Sequence, residues 1–336
     1  MIYLKQISLI ALLAVFSFSC KPDNRAVADI SDIDLKVVSE NLDEELFACK
    51  SETEVQNFLN KHPNLGRYYF SDAPVEPGKL AGYLFSILQN QDFRTFKTQL
   101  DSLIGDRQTV IVDSLTKAFK HIKYYYPAFT APKVEFMVSG FAGNDLYISD
   151  SLIIIGLDYF GGPNAMYRPD VFDYQLRRYQ KEYIVPSIIF FISNRFNKIS
   201  PGDQTLLADM IGYGKGYEFV RHMMPGTPQS LIIGYSEDNL KKTYNSQQDI
   251  WAYFIASKLL YEKNVLQKRK FIEERPFTTE IGQKVPGAIA RWVGWRIVNL
   301  FMKENREVSI VELMEIENAS RILQESGYSG QPDKVE

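Results

Sequence analysis

An α+β fold dominated by helix is predicted by three observations on this sequence. Most of the chain carries apolar residues at helical spacing, bounded by capping residues and prolines. Two short runs near the middle are instead rich in β-branched residues, as strands are. Between Ile30 and Leu323 no repeat, long Gly/Ser linker or charge block interrupts the chain. Helices around a small central sheet, in one domain over residues 30–324, follow from these. The chain has 336 residues, 45% apolar and 24% charged, a composition that supports a packed core and excludes a disordered or low-complexity protein.

Residues 1–19 read as a secretory signal: Lys5 is the single charge, Ile7 to Phe18 is apolar, and small Ser17 and Ser19 precede Cys20. The apolar run is short for a bilayer span. A cysteine directly after it resembles a bacterial lipoprotein signal, although Ser17 stands where most lipoproteins carry Leu. The resemblance implies a diacylglyceryl group on Cys20, which becomes the new N-terminus. Residues 20–29 then form a lipidated end and a polar, proline-containing tether. With Cys20 acylated, Cys49 has no intramolecular partner and fits a small buried apolar side chain in a helix.

Along the body, Ser51 followed by Glu54 is a capping-box pattern opening a helix that stops before Pro63. From Arg107 to Tyr126, Ile111, Leu115, Phe119 and Ile122 share one helical face, and Pro127 ends the run. Lys133 to Ser139 alternates and Asp145 to Ile155 is β-branched, which predicts two strands. Tyr174 to Phe196 is helical with an interruption or kink at Pro186. Ser200-Pro201-Gly202-Asp203 predicts the start of a helix that runs to about Met223 and stops at Pro225-Gly226. Ser246 with Asp249 opens another helix, and Pro286 begins the last long one, through Trp292 and Trp295 to Met302. Residues 325–336 are polar and predict a frayed tail.

Several classes of function are excluded by composition. A net charge of −3 offers no excess of cations to a phosphate backbone, so nucleic acid is not an expected partner. The three histidines, His62, His121 and His222, lie far apart and write no zinc-finger or metal-cage spacing, and two cysteines make no disulfide framework. Gly212-x-Gly214-x-Gly216 lies inside a helical run and lacks the Lys-Ser/Thr of a phosphate loop. Gly212 and Gly216, one turn apart, suit the close approach of another backbone. Trp292 and Trp295 fit a core, with Arg291 and Arg296 beside them available for a contact surface.

Seven ordered segments carry a family resemblance: IIIGLDYFGG (153–162), YQLRRYQKEYIVP (174–186), LLADMIGYGKGYEFVRHMMP (206–225), LIIGYSEDNL (231–240), DIWAYFIASKLLY (249–261), RPFTTEIGQKVPGAIARWVGW (275–295) and RIVNLFM (296–302). Together they resemble the gliding motility lipoprotein GldB family of the Bacteroidota, from about Leu35 to Leu323. That family is similar in turn to predicted zinc peptidases with a helical HExxH site, which implies a metallopeptidase-like body. HExxH sets two imidazoles one turn apart for zinc, with a Glu beside them as base. The corresponding residues here are Asp209-Met210-Ile211-Gly212-Tyr213, with neither imidazole nor base. Where such peptidases place a third ligand stand Gln247, Gln248 and Asp249.

The resemblance therefore implies a lipoprotein without metal, cofactor or catalytic residue, held at a membrane through Cys20. Its partners would be envelope proteins of the gliding or associated secretion machinery, most simply at a periplasmic face, with inner or outer membrane left open. Asp158 (with the turn to Gly162), Asp209, Tyr213, Lys215 and Glu218 are the candidate binding surface. Asp209 equally suits an ordinary polar position on a helix, and Asp249 a first-turn acid. An envelope hydrolase with an unusual carboxylate site is the alternative, and a structural lipoprotein unrelated to motility a third reading. Replacing Cys20→Ala is expected to move the protein from the detergent-dependent membrane fraction to the soluble fraction, followed by fractionation and immunoblotting; unchanged membrane retention contradicts the anchor.

Overall fold

The computed structural model describes residues 27–332, so the signal segment, Cys20 and the last four residues lie outside it. Among the described residues no helix is long and apolar enough to cross a membrane. The fold is α+β and mostly α, as the sequence predicts.

A short strand, β1 (Ser39–Asn41), leads into α1 (Leu42–Ala48), α2 (Glu52–Lys61), α3 (Leu80–Leu88), α4 (Gln91–Ile104) and α5 (Asp113–Tyr125). Ser51 caps α2, accepting from Glu54 N at 3.2 Å while Glu54 accepts from Lys50 N. The stretch that opens the predicted 107–126 helix is a π-turn at Gln108–Val112, and the apolar face of Ile111, Leu115, Phe119 and Ile122 is wholly buried. Cys49 is buried just beyond α1, at its C-cap instead of inside a helix.

The sheet contains β1, β2 (Lys133–Met137), β3 (Leu146–Ile148) and β4 (Leu152–Gly156), in the order β1-β2-β4-β3. The predicted strand over 145–155 is thus two, a hairpin turned at Ser149–Ser151, with β3 antiparallel to β4. Parallel β1 and β2 are joined through α1 to α5, whereas β2 reaches parallel β4 through a loop and β3 with no helix between them. Both faces of the central strands are covered: all five residues of β4 are buried, and so is Glu135 on β2, paired with Lys133 at 2.8 Å. Alternation in the sequence of β2 therefore does not mark a solvent face.

After the sheet the predicted 174–196 helix resolves into two 3-10 turns, Leu176–Arg178 and Lys181–Tyr183, and α6 (Ile184–Ser193). Pro186 causes no kink because it sits in the first turn of α6, where a helix needs no amide donor. The next helix, α7 (Leu206–Met223), is capped by Thr205, whose hydroxyl accepts from Ala208 N, and not by Ser200. Asp203 instead accepts from Thr205 N and Oγ1. Then follow α8 (Gln229–Ile233), α9 (Glu237–Asn245), α10 (Gln247–Ala256), α11 (Val265–Ile272), α12 (Ile289–Glu304), α13 (Ile310–Glu315) and α14 (Ala319–Ser326). Ser246 precedes α10 without a side-chain cap bond. Pro286 does not start α12; its carbonyl accepts from Thr278 Oγ1, and Ala288, at φ +57°, precedes the first turn. The tail is also less free than its polarity implies: Tyr328 is buried, its ring centroid is 5.1 Å from that of Trp251, and Gln247 donates to the Gln331 carbonyl.

At the centre α7 lies against α12, α6 and α14, with residues buried around most of its circumference. Its closest approach is to α12, and the glycine responsible is Gly214, not Gly212 or Gly216. A Cβ on Gly214 would lie 2.5 Å from the Gly294 carbonyl oxygen, and one on Gly294 would lie 1.9 Å from that of Met210. Gly212 and Gly216 face side chains, those of Ile199 and Phe190.

Two charges are buried on α7. Lys215 Nζ donates to the carbonyls of Lys198, Met314 and Ile316 at 2.7, 3.0 and 2.8 Å, which ties α7 to the loop after α6 and to the C-terminal end of α13. Burial pushes this amine down to about 8. Glu218 is paired with Arg221 and accepts from Trp295 Nε1 at 3.1 Å; desolvation opposes its charge, yet Arg221 holds the carboxyl below its ordinary value.

Gly294→Ala is expected to cost about 3 kcal/mol, because neither backbone can withdraw without opening the core; denaturant unfolding measures it. Lys215 has a folded value of about 8 against an ordinary 10.5, so the unfolded chain binds more protons between these limits. Stability relative to Lys215→Met should therefore rise with pH from about 8 to 10.5, by up to about 1.4 kcal/mol per pH unit, in urea titrations at stepped pH. A flat difference contradicts the assignment.

Candidate functional site

The middle of α7 and the first turn of α12 form one wall of a groove of about 580 Å³. Tyr213 and Tyr217, one helical turn apart on α7, project from the same face. Phe190 of α6 stacks on both, with centroids 6.0 and 4.9 Å away. Arg291, in the first turn of α12, places its guanidinium carbon 4.3 Å from the Tyr213 ring centroid, within cation–π range. From the opposite lip, Arg178 donates from Nη1 to Glu274 at 2.7 Å. Past Arg291 the groove continues into a smaller recess of about 90 Å³ at Tyr235 and Gly287. Tyr235 closes it by donating to the Gly287 carbonyl at 2.8 Å.

Electrostatically the groove joins an aromatic wall to two arginines, Arg178 and Arg291, and two acids, Glu273 and Glu274, of which Glu274 is paired with Arg178. Tyr217 is fully buried and its phenol is raised by desolvation, which the neighbouring Arg291 moderates. It therefore stays protonated near neutral pH. The Nε atoms of Arg178 and Arg291 are both buried, and neither has a hydrogen-bond partner among the described residues.

Of the five residues of the candidate binding surface, Tyr213 alone lines this groove. Asp209, one turn earlier, is half-exposed and ion-paired with Lys268 of α11 at 2.7 Å. Lys215 and Glu218 are buried by the contacts described above and form no rim. Asp158 is buried at the end of the sheet, where Oδ2 accepts from Ser139 N at 3.0 Å and Phe141 N at 2.7 Å. Burial pushes its carboxyl up while these amides oppose the rise. It fixes the loop through Gly140 and Phe141, both at positive φ, and is a positioning group for that loop. Gly161 and Gly162 line a separate recess of about 320 Å³. The five candidate residues thus do not share one surface. Arg296 is buried too, so of the two arginines beside the tryptophans only Arg291 faces the groove.

The stretch from Asp209 to Tyr213 is integrated into packing. Met210 is buried with its carbonyl against Gly294, and Tyr213 lies beneath Arg291. Asp249 is exposed on α10, whereas Gln247 is buried against the C-terminal segment. Among the described residues one group of His and acidic side chains, Glu40, Glu45 and His62, brings its donor atoms within 4.8 Å of one another, on the first third of the chain. Lys133 and Lys61 already hold its two carboxylates.

Arg178, Glu274, Phe190 and Tyr217 were not among the residues that sequence indicated. They come from separate segments, and the only local signal was the one-turn spacing of Tyr217 from Tyr213, which core packing produces equally well.

Comparison with curated proteins finds no match, and neither does comparison with solved structures. The family model described as gliding motility protein GldB, in contrast, matches residues 23–330. That span takes in α7, α12 and every segment that walls the groove, so the chain belongs to the GldB family of gliding motility proteins.

Proposed function

We propose that this protein supports gliding motility as a lipid-anchored, non-enzymatic envelope lipoprotein whose groove between α6, α7 and α12 binds a partner. The role in gliding rests on the family. One observation carries the rest of the reading: the α7 turn where an HExxH enzyme needs imidazoles presents Asp209 bound to Lys268, buried Met210, and Tyr213 covered by a guanidinium. Such groups suit recognition of a ligand and not activation of water, since none is a free base beside an open metal position.

Acylation at Cys20 and the tether to residue 29 would hold the body close to a membrane while it engages envelope proteins. Confinement at a surface raises the effective concentration of such partners, so a groove of modest affinity suffices. The partners in this reading belong to the gliding machinery or to the secretion apparatus associated with it.

In-cell crosslinking and affinity capture of a C-terminally tagged chain is expected to recover gliding or secretion components. Tyr213→Ala should reduce their yield several-fold, whereas Tyr261→Ala, on an exposed ring outside the groove, should not. The purified protein should carry less than roughly a tenth of an equivalent of transition metal. Near-stoichiometric metal accompanied by cleavage of an envelope polymer overturns the non-enzymatic reading, and capture of cell-wall material alone overturns the partner class.

A further inference from the structure

The groove has a chemical preference that its position in the fold does not specify. Its Arg178 and Arg291 Nε atoms are buried without a partner among the described residues. A desolvated donor of this kind is costly to leave unmet, and a ligand that supplies an acceptor recovers that cost. The Arg291 guanidinium carbon lies 4.3 Å from the Tyr213 ring centroid and Tyr217 is a neighbour of the same group, so the unpartnered Nε is the donor left for an added acceptor. An in-plane guanidinium edge matches the geometry of a carboxylate. Arg178 already meets one carboxylate of this chain, Glu274, 2.7 Å from its Nη1, which shows the geometry such a pair takes at this lip and leaves Arg291 as the cation without an acid partner at that distance.

Charge and shape narrow the class further. Glu273 and Glu274 both line the groove, so a dianion such as phosphate meets more repulsion there than a single carboxylate does. The volume of about 580 Å³ is far larger than one carboxylate fills. Its remaining wall is Phe190, Tyr217 and the exposed ring of Phe191, which suits an apolar or aromatic side chain beside the acid.

We propose that the groove receives an acidic peptide segment of a partner protein, with a side-chain carboxylate on Arg291 and Arg178 and a neighbouring apolar residue against the ring wall. This rests on the groove being the partner-binding surface.

The test uses the detergent-solubilised full chain and fluorescence anisotropy of a fluorescein-labelled peptide of alternating Glu and Phe, acetylated and amidated at its ends. Its probe of specificity is the same peptide with Gln in place of Glu. The acidic peptide should bind about tenfold more tightly, and Arg291→Gln or Arg178→Gln should each remove most of that preference. Acetate should displace the peptide at least as well as inorganic phosphate does. Thermal unfolding by circular dichroism checks the variants; if Arg291→Gln does not fold, Arg178→Gln, at a partly exposed side chain, decides the outcome. Equal binding of the two peptides, a preference unchanged in the folded variants, or phosphate as the better competitor overturns the proposal. Failure here with gliding components still captured removes the carboxylate chemistry alone, whereas the acidic preference without such capture removes the motility partners and leaves that chemistry standing.

Discussion

The backbone contact between α7 and α12 is the constraint on which the rest of the molecule depends. Gly214 and Gly294 let two helices touch main chain to main chain, closer than any side chain allows. Once those glycines are opposed, the register of both helices is fixed by their 3.6-residue turn. Trp295 then meets Glu218, and Arg291, one turn before it on the same face, reaches Tyr213. The buried polar network and the cationic wall of the groove are therefore two results of one crossing. Trp292 and the other bulky side chains of α12 fill the core around it.

Local chemistry made part of this legible from sequence. Ser51 and Glu54 announce α2 because their cap requires only neighbours within three residues. The helical face of Ile111, Leu115, Phe119 and Ile122 is likewise a local pattern. β1 escapes such reasoning, since Ser39-Glu40-Asn41 has no strand propensity and becomes a strand only by pairing with β2 some ninety residues later. Thr205 outcompetes Ser200 as a cap although both fit the pattern, and Asp203 is spent on holding Thr205.

The site divides in the same way. Tyr213 is found because it falls at a motif position, but the resemblance cannot say that Lys215 and Glu218 are inside. Charged residues on a helix usually mark its wet face. Here the carbonyls that satisfy Lys215 arrive from residues 198, 314 and 316, which no local pattern connects to it. Arg178, Glu274 and Arg291 meet from three separated segments for the same reason. Arg291 gives the groove a positive charge built into the chain and permanent at physiological pH.

The C-terminal packing bears on how the chain acquires its fold. A polypeptide released from its N-terminus presents α7 long before α12, and α14, which covers them both, comes last. Until then the glycine face of α7 has no opposing backbone, Lys215 lacks two of its three carbonyls, and Trp251 lacks the Tyr328 ring. The central helix is thus completed by the final tenth of the sequence. A chain cut before α13 would leave Lys215 without two of its three carbonyl partners, so loss of the C-terminal segment acts on the central helix and not on the surface alone.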